Sequence, residues 1–202
     1  MGDAKIPNRM EKKKKQTRIK IIEVAMSLFE KQGFSQTTME QIADVADVAK
    51  GTLYNHFSCK EAIVSAYVQT VNNQTIPVLK DLLSDLPNTR SRLLKVLLQV
   101  FDWGKLNREL VMIYFSFRMQ NLVKGLPEPG ERSGFAEILA MIFRQGQLDG
   151  ELREGVSAEY LANYFNMIYF RILIEWLSLP DKYPLQEQLA TNIDLFLNGV
   201  KR

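Results

Sequence analysis

Apolar residues in this chain recur every three or four positions from one end to the other, a period that admits helices and little else. Ile22, Ala25, Met26 and Phe29 form one such stripe, and Gly33 with Lys31 in the turn before it marks where that helix stops. Thr38 and Gln41 have the spacing of a capping box, which opens a short helix over 39–46. A three-residue connection at Asp47, Val48 and Ala49 leads to a second short helix over 50–56. Ser58 and Glu61 repeat the capping-box spacing and open a longer helix, which continues past a kink at Pro77 to Leu86. Further helices are expected over 93–106, 110–123 and 135–148, with a Gly- and Pro-rich loop at 125–134. Ser157 caps a helix to about Leu179 that is apolar on nearly every side and is expected to be buried all round. The last helix carries Leu185, Leu189, Ile193, Phe196 and Val200 on one stripe. No strand and no repeat stands out, so the chain reads as all-α, with about nine helices.

Charge divides the chain. Of its 202 residues the first 60 carry 11 Lys and Arg against 7 Asp and Glu, while the other 142 carry 15 against 16. The excess gathers before residue 21, at Lys5, Arg9, Lys12, Lys13, Lys14, Lys15, Arg18 and Lys20. A basic arm on a neutral body points to a polyanion near the N-terminus. A single cysteine leaves no internal disulfide, no signal-peptide pattern follows the lysines, and the apolar run over 164–179 is broken by Asn166, Arg171 and Glu175. The expectation is a soluble, cytoplasmic protein that makes no use of the membrane.

The two short helices and their tight connection, next to the basic arm, have the layout of a helix-turn-helix. The second, KGTLYNHF, places small, polar and basic groups where a recognition helix meets base edges. Lys50 offers charge to phosphate or guanine, Gly51 lets the backbone come close, and Thr52 presents a hydroxyl and a methyl. Tyr54 and His56 are placed to reach the phosphate backbone, Leu53 and Phe57 point inward, and Arg18 and Lys60 add to the phosphate term. His56 is the only histidine and Cys59 the only cysteine, which gives two metal ligands at best. No metal and no cofactor is expected, and the chain lacks a phosphate loop, a nucleophile elbow and a second histidine for acid–base work, so no enzyme is expected.

From Arg18 the pattern R-I-x-x-I-x-x-A-x-x-L-F-x-x-x-G-F-x-x-T-T-x-x-x-I-A-x-x-A-x-V-x-K-G-T-L-Y-N-H-F-x-x-K-E resembles the N-terminal signature of tetracycline-repressor (TetR) family regulators. It departs mildly at Asp47, where many members carry glycine in the turn. The resemblance implies an all-helical fold with a three-helix DNA-binding domain and a larger effector-binding, dimerising domain. It places Thr38, Lys50, Gly51, Thr52, Tyr54, His56 and Lys60 at DNA-contacting positions, and the last two helices at a four-helix interface between two copies. The expected division is a disordered basic arm over 1–15, the helix-turn-helix domain over 16–60, and the effector-binding and dimerisation domain over 61–202.

An effector site follows from the Met- and aromatic-rich middle of the chain, whose flexible and flat side chains suit an adaptable apolar cavity. Trp103, Tyr114, Phe117, Arg118, Met141 and Asn166 are the candidate lining residues. Arg171 is expected to pair with Glu175 one turn on. Arg118 has no close acidic partner in sequence, which leaves a distant carboxylate or an anionic ligand open. The function expected is a ligand-responsive repressor that binds a palindromic operator as a homodimer and is released by a small, largely apolar effector. A nucleoid-type DNA binder without effector, or a helical enzyme, is the alternative.

Overall fold

The computed structural model describes residues 9–122, 134–179 and 181–200. Among them run nine helices: α1 (Arg9–Gln32), α2 (Met39–Val45), α3 (Lys50–His56), α4 (Lys60–Ser84), α5 (Thr89–Leu106), α6 (Arg108–Leu122), α7 (Phe135–Leu148), α8 (Ala158–Ser178) and α9 (Leu185–Val200). Apart from Gly134, the Gly- and Pro-rich loop expected at 125–134 lies outside the described residues.

Apolar side chains form two cores. The smaller joins Ile21, Ile22, Ala25 and Phe29 of α1 with Ile42 and Ala43 of α2, Leu53 of α3 and Ile63 and Val64 of α4. The larger gathers α5, α7, α8 and α9 around Phe101, Phe143, Phe165 and Phe196, with Leu79 and Leu83 from the far half of α4. α4 thus belongs to both. α6 packs against α4 and reaches the smaller core through Leu110, Ile113 and Tyr114.

Helix boundaries follow local chemistry. Gly33 ends α1 with φ +85° and donates its N–H to the Phe29 carbonyl. Thr38 caps α2 with the complete box: its hydroxyl accepts from the Gln41 N–H at 3.1 Å, and the Gln41 amide oxygen accepts from the Thr38 N–H at 2.9 Å. Ser157 caps α8 as expected. The Ser58–Glu61 box does not form. α4 starts at Lys60 with Cys59 as its cap residue, which moves Glu61 one place short of the position the box requires. α5 begins at Thr89, earlier than its apolar stripe, because Asn88 accepts from the Ser91 N–H at 2.9 Å.

Two further expectations are corrected. Residues 9–15, read as part of an unstructured arm, form the first turns of α1, whose lysines and Glu11 are good helix formers. α8 is not covered all round by the chain itself. Tyr160, Tyr164, Met167 and Ile174 are exposed on one stripe of it, and Leu195 of α9 is exposed as well. Arg171 stands within that stripe, paired with Glu175 as expected, and its guanidinium also donates to Asn192 of α9 at 3.1 Å.

Candidate functional site

The connection between α2 and α3 is closed by backbone hydrogen bonds from Asp47 N–H to the Asp44 carbonyl and from Val48 N–H to the Ala43 carbonyl. Asp47 takes φ +52°, the left-handed conformation that favours glycine, and aspartate is among the few side chains that accept it readily. Leu53 of α3 and Phe57, which follows its last residue, are buried and anchor the helix, as their spacing implied. Thr38, Lys50, Gly51 and Tyr54 are exposed, and Thr52 and His56 half-buried. Lys50 is held only loosely, 4.0 Å from an exposed Glu40. A Cβ added at Gly51 meets nothing within 4 Å, and its φ is an ordinary one, so nothing within the chain demands glycine there.

Two cations expected at phosphates are tied into the fold. The Lys60 ammonium donates to the carbonyls of Phe34 at 2.7 Å and Thr37 at 2.6 Å, and it stands 4.4 Å from the Phe34 ring centroid. It braces α4 against the segment that leads into α2. Arg18 donates to the His56 carbonyl at 3.1 Å, with its guanidinium 4.2 Å from the centroid of Phe57. It fastens α1 to the end of α3. Sequence spacing misses both because each bridges 20 residues or more. The His56 imidazole is held below its ordinary pKa, first by partial burial and then by the positive charges of Arg18 and Lys14. Lys14 therefore lies close enough to the end of α3 for its field to be felt there.

A cavity of about 170 Å³ opens between α4, α5, α6, α7 and α8. Phe101, Phe135, Tyr169 and Leu173 are buried lining residues; Thr75 and Gln99 are exposed ones and stand at its mouth. Of the candidate effector residues, Trp103, Tyr114 and Asn166 stand in the wall. Phe117, Arg118 and Met141 are half-buried and outside it. α4 contributes Val68, Val71, Asn72, Thr75 and Leu79, none of which the sequence suggested. A signal was present: the polar run at 72–75 interrupts the apolar pattern of α4. Tyr114 both lines the cavity and packs against the smaller core. Among the described residues no group of acidic, His and Cys side chains is arranged to hold a metal, and no helix is long and apolar enough to cross a membrane.

Residues 21–67 match the family model described as bacterial regulatory proteins, tetR family. The HTH-type transcriptional regulator TtgR of Pseudomonas putida is 28% identical, with 96% of this chain and 95% of that protein covered. The fatty acid metabolism regulator protein of Bacillus subtilis is 23% identical over 94% of this chain and 98% of its own. Among solved structures, the Thermus thermophilus repressor FadR in complex with lauroyl-CoA superposes with a TM-score of 0.76 at 24% identity, covering 90% of this chain and 94% of that one. At that identity the likeness speaks for the fold.

Proposed function

The chain belongs to the tetR family of bacterial regulatory proteins, and from that premise we propose that it is a cytoplasmic repressor, gripping a palindromic operator as a homodimer and released when a small, largely apolar effector enters the cavity. It is a ligand-responsive, DNA-binding transcriptional regulator. The observation that carries the finer reading is the shared wall. α4 and α6 belong both to the cavity and to the packing of the DNA-binding unit, and Tyr114 touches both. A molecule that shifts α6 or α4 therefore shifts the unit that holds α3. A ligand moves such an equilibrium only by preferring one arrangement over the other, and a coupling of about 1–3 kcal/mol corresponds to a 5–150-fold loss of operator affinity.

In this reading α3 enters the major groove with Lys50, Gly51 and Thr52 toward base edges, Tyr54 and His56 toward phosphate, and Thr38 at the start of α2. Lys12 to Lys15, on the first turns of α1, extend the positive surface beyond the three-helix unit. Residues 1–15 are then the basic extension, 16–60 the DNA-binding unit, and 61–202 the effector and dimer unit. The exposed stripe of α8 with Leu195 of α9 supports pairing of two copies there, because several large apolar side chains gathered on one face, with Arg171 among them, are unfavourable in water.

Selection of binding sites from random DNA tests the reading. The expected consensus is two inverted half-sites about one helical turn or somewhat more apart. Lys50→Ala and Thr52→Ala should each relax the preference at one position in each half-site, by roughly 1–3 kcal/mol for a lost base contact. A consensus without inverted symmetry, or one that neither substitution alters, contradicts it.

A further inference from the structure

The cavity wall carries no Lys, Arg, His, Asp or Glu among the described residues, and yet it is not simply greasy. Asn72, Thr75, Gln99, Tyr114, Asn166 and Tyr169 place amide and hydroxyl groups around an otherwise apolar space. Tyr169 is 9% exposed, and its hydroxyl makes no hydrogen bond among the described residues. The side chains of Asn166 and Gln99 likewise make none there. Burial raises the Tyr169 phenol well above its ordinary pKa, and the neighbouring Tyr114 adds to the shift, so the Tyr169 hydroxyl keeps its proton. At about 170 Å³ the space is small beside the roughly 300–1,000 Å³ of ordinary ligand pockets.

Resting on the reading of this cavity as the effector site, we propose that it takes a compact, uncharged molecule that presents both aromatic or alicyclic faces and hydrogen-bonding groups, in preference to a bare acyl chain or an anion. A plain alkyl chain laid across the wall takes Tyr169, Asn166 and Gln99 away from water and returns no partner. An anion finds no counter-charge in the wall to offset its desolvation. A neutral molecule with hydroxyl or amide groups satisfies the polar side chains while its flat faces cover Phe101, Phe135 and Trp176. The ligand class proposed for this chain is therefore not that of the lauroyl-CoA bound in the structure whose fold it shares.

Four probes separate the cases: 4,4′-dihydroxybiphenyl, biphenyl, biphenyl-4-carboxylate and lauroyl-CoA, each titrated calorimetrically into the full-length protein. The diol should bind at least tenfold more tightly than each of the other three. In the double variant Gln99→Leu, Asn166→Leu, with an unfolding midpoint close to that of the parent, the preference of diol over biphenyl should fall at least fivefold. Tightest binding by lauroyl-CoA or the carboxylate, equal binding by all four, no binding of the diol, or an unchanged preference in the double variant overturns the proposal. Release of DNA selected from a random pool is measured alongside. Diol binding that leaves DNA affinity untouched means that the effector reading fails while the ligand class stands. Release by lauroyl-CoA alone means the reverse.

Discussion

At Gly51 the requirements of folding and of binding point in opposite directions. A methyl group there meets no atom of the protein, and alanine is the better helix former by about 1 kcal/mol. Gly51→Ala should therefore raise stability slightly, by up to about 1 kcal/mol in denaturant unfolding, while it weakens operator binding at least tenfold by holding the backbone off the groove. Binding that survives the substitution unchanged removes α3 from close contact with DNA. The residues of α3 were legible because the short motif fixes both its buried anchors and its exposed face. Lys60 and Arg18 were not. Their carbonyl partners are distant in sequence, and a basic residue near a DNA-binding motif has the same composition whether it faces a phosphate or a backbone oxygen.

Among the elements, α5 shows most clearly why boundaries are harder to read than existence. Its apolar period announces a helix from Leu93, but four polar residues precede that stripe and the helix includes all of them. Arg92 explains part of the difference. Its buried guanidinium donates to the Leu83 and Leu86 carbonyls at 3.2 and 3.1 Å, where α4 ends, and pairs with Asp149 beyond α7 at 2.7 Å. One side chain thus holds α4, α5 and the end of α7 together. The Arg92 guanidinium in turn draws the Asp149 carboxyl below its usual range, with a smaller contribution from Gln145. Arg92→Leu should destabilise the chain by about 2–4 kcal/mol, since it removes the side-chain donor to the Leu86 carbonyl, one of the donors to the Leu83 carbonyl, and the partner of Asp149. A loss below 1 kcal/mol in chemical denaturation contradicts this role. The α8 stripe carries the opposite lesson. Its all-round apolar character was plain in the sequence, but no sequence pattern distinguishes cover by the chain's own helices from cover by a second copy.

For the whole molecule, the distinction between core and interface decides which substitutions report on assembly. Leu189, at 0% exposure, and Phe196, at 7%, lie on the buried face of α9 and are core, so a charge at either should unfold the chain rather than split a dimer. Tyr164 and Leu195 are the proper probes. Tyr164→Glu and Leu195→Glu together should give a folded monomer in sedimentation, with unchanged helicity and at least a hundredfold weaker operator binding. A dimer that persists in this variant places the interface elsewhere. In the molecule as a whole, filling the cavity should loosen the grip on DNA through the wall that α4 and α6 share with the smaller core. The most direct measurement needs no effector. Val100→Trp introduces a larger side chain from α5 into the cavity and leaves every residue of α4, α6 and the DNA-binding unit unchanged in sequence. Operator affinity is then read by fluorescence anisotropy on a variant shown to be folded and of unchanged oligomeric state. The expected result is a loss of about 5–150-fold. Parental affinity in a folded variant whose cavity is occupied contradicts it.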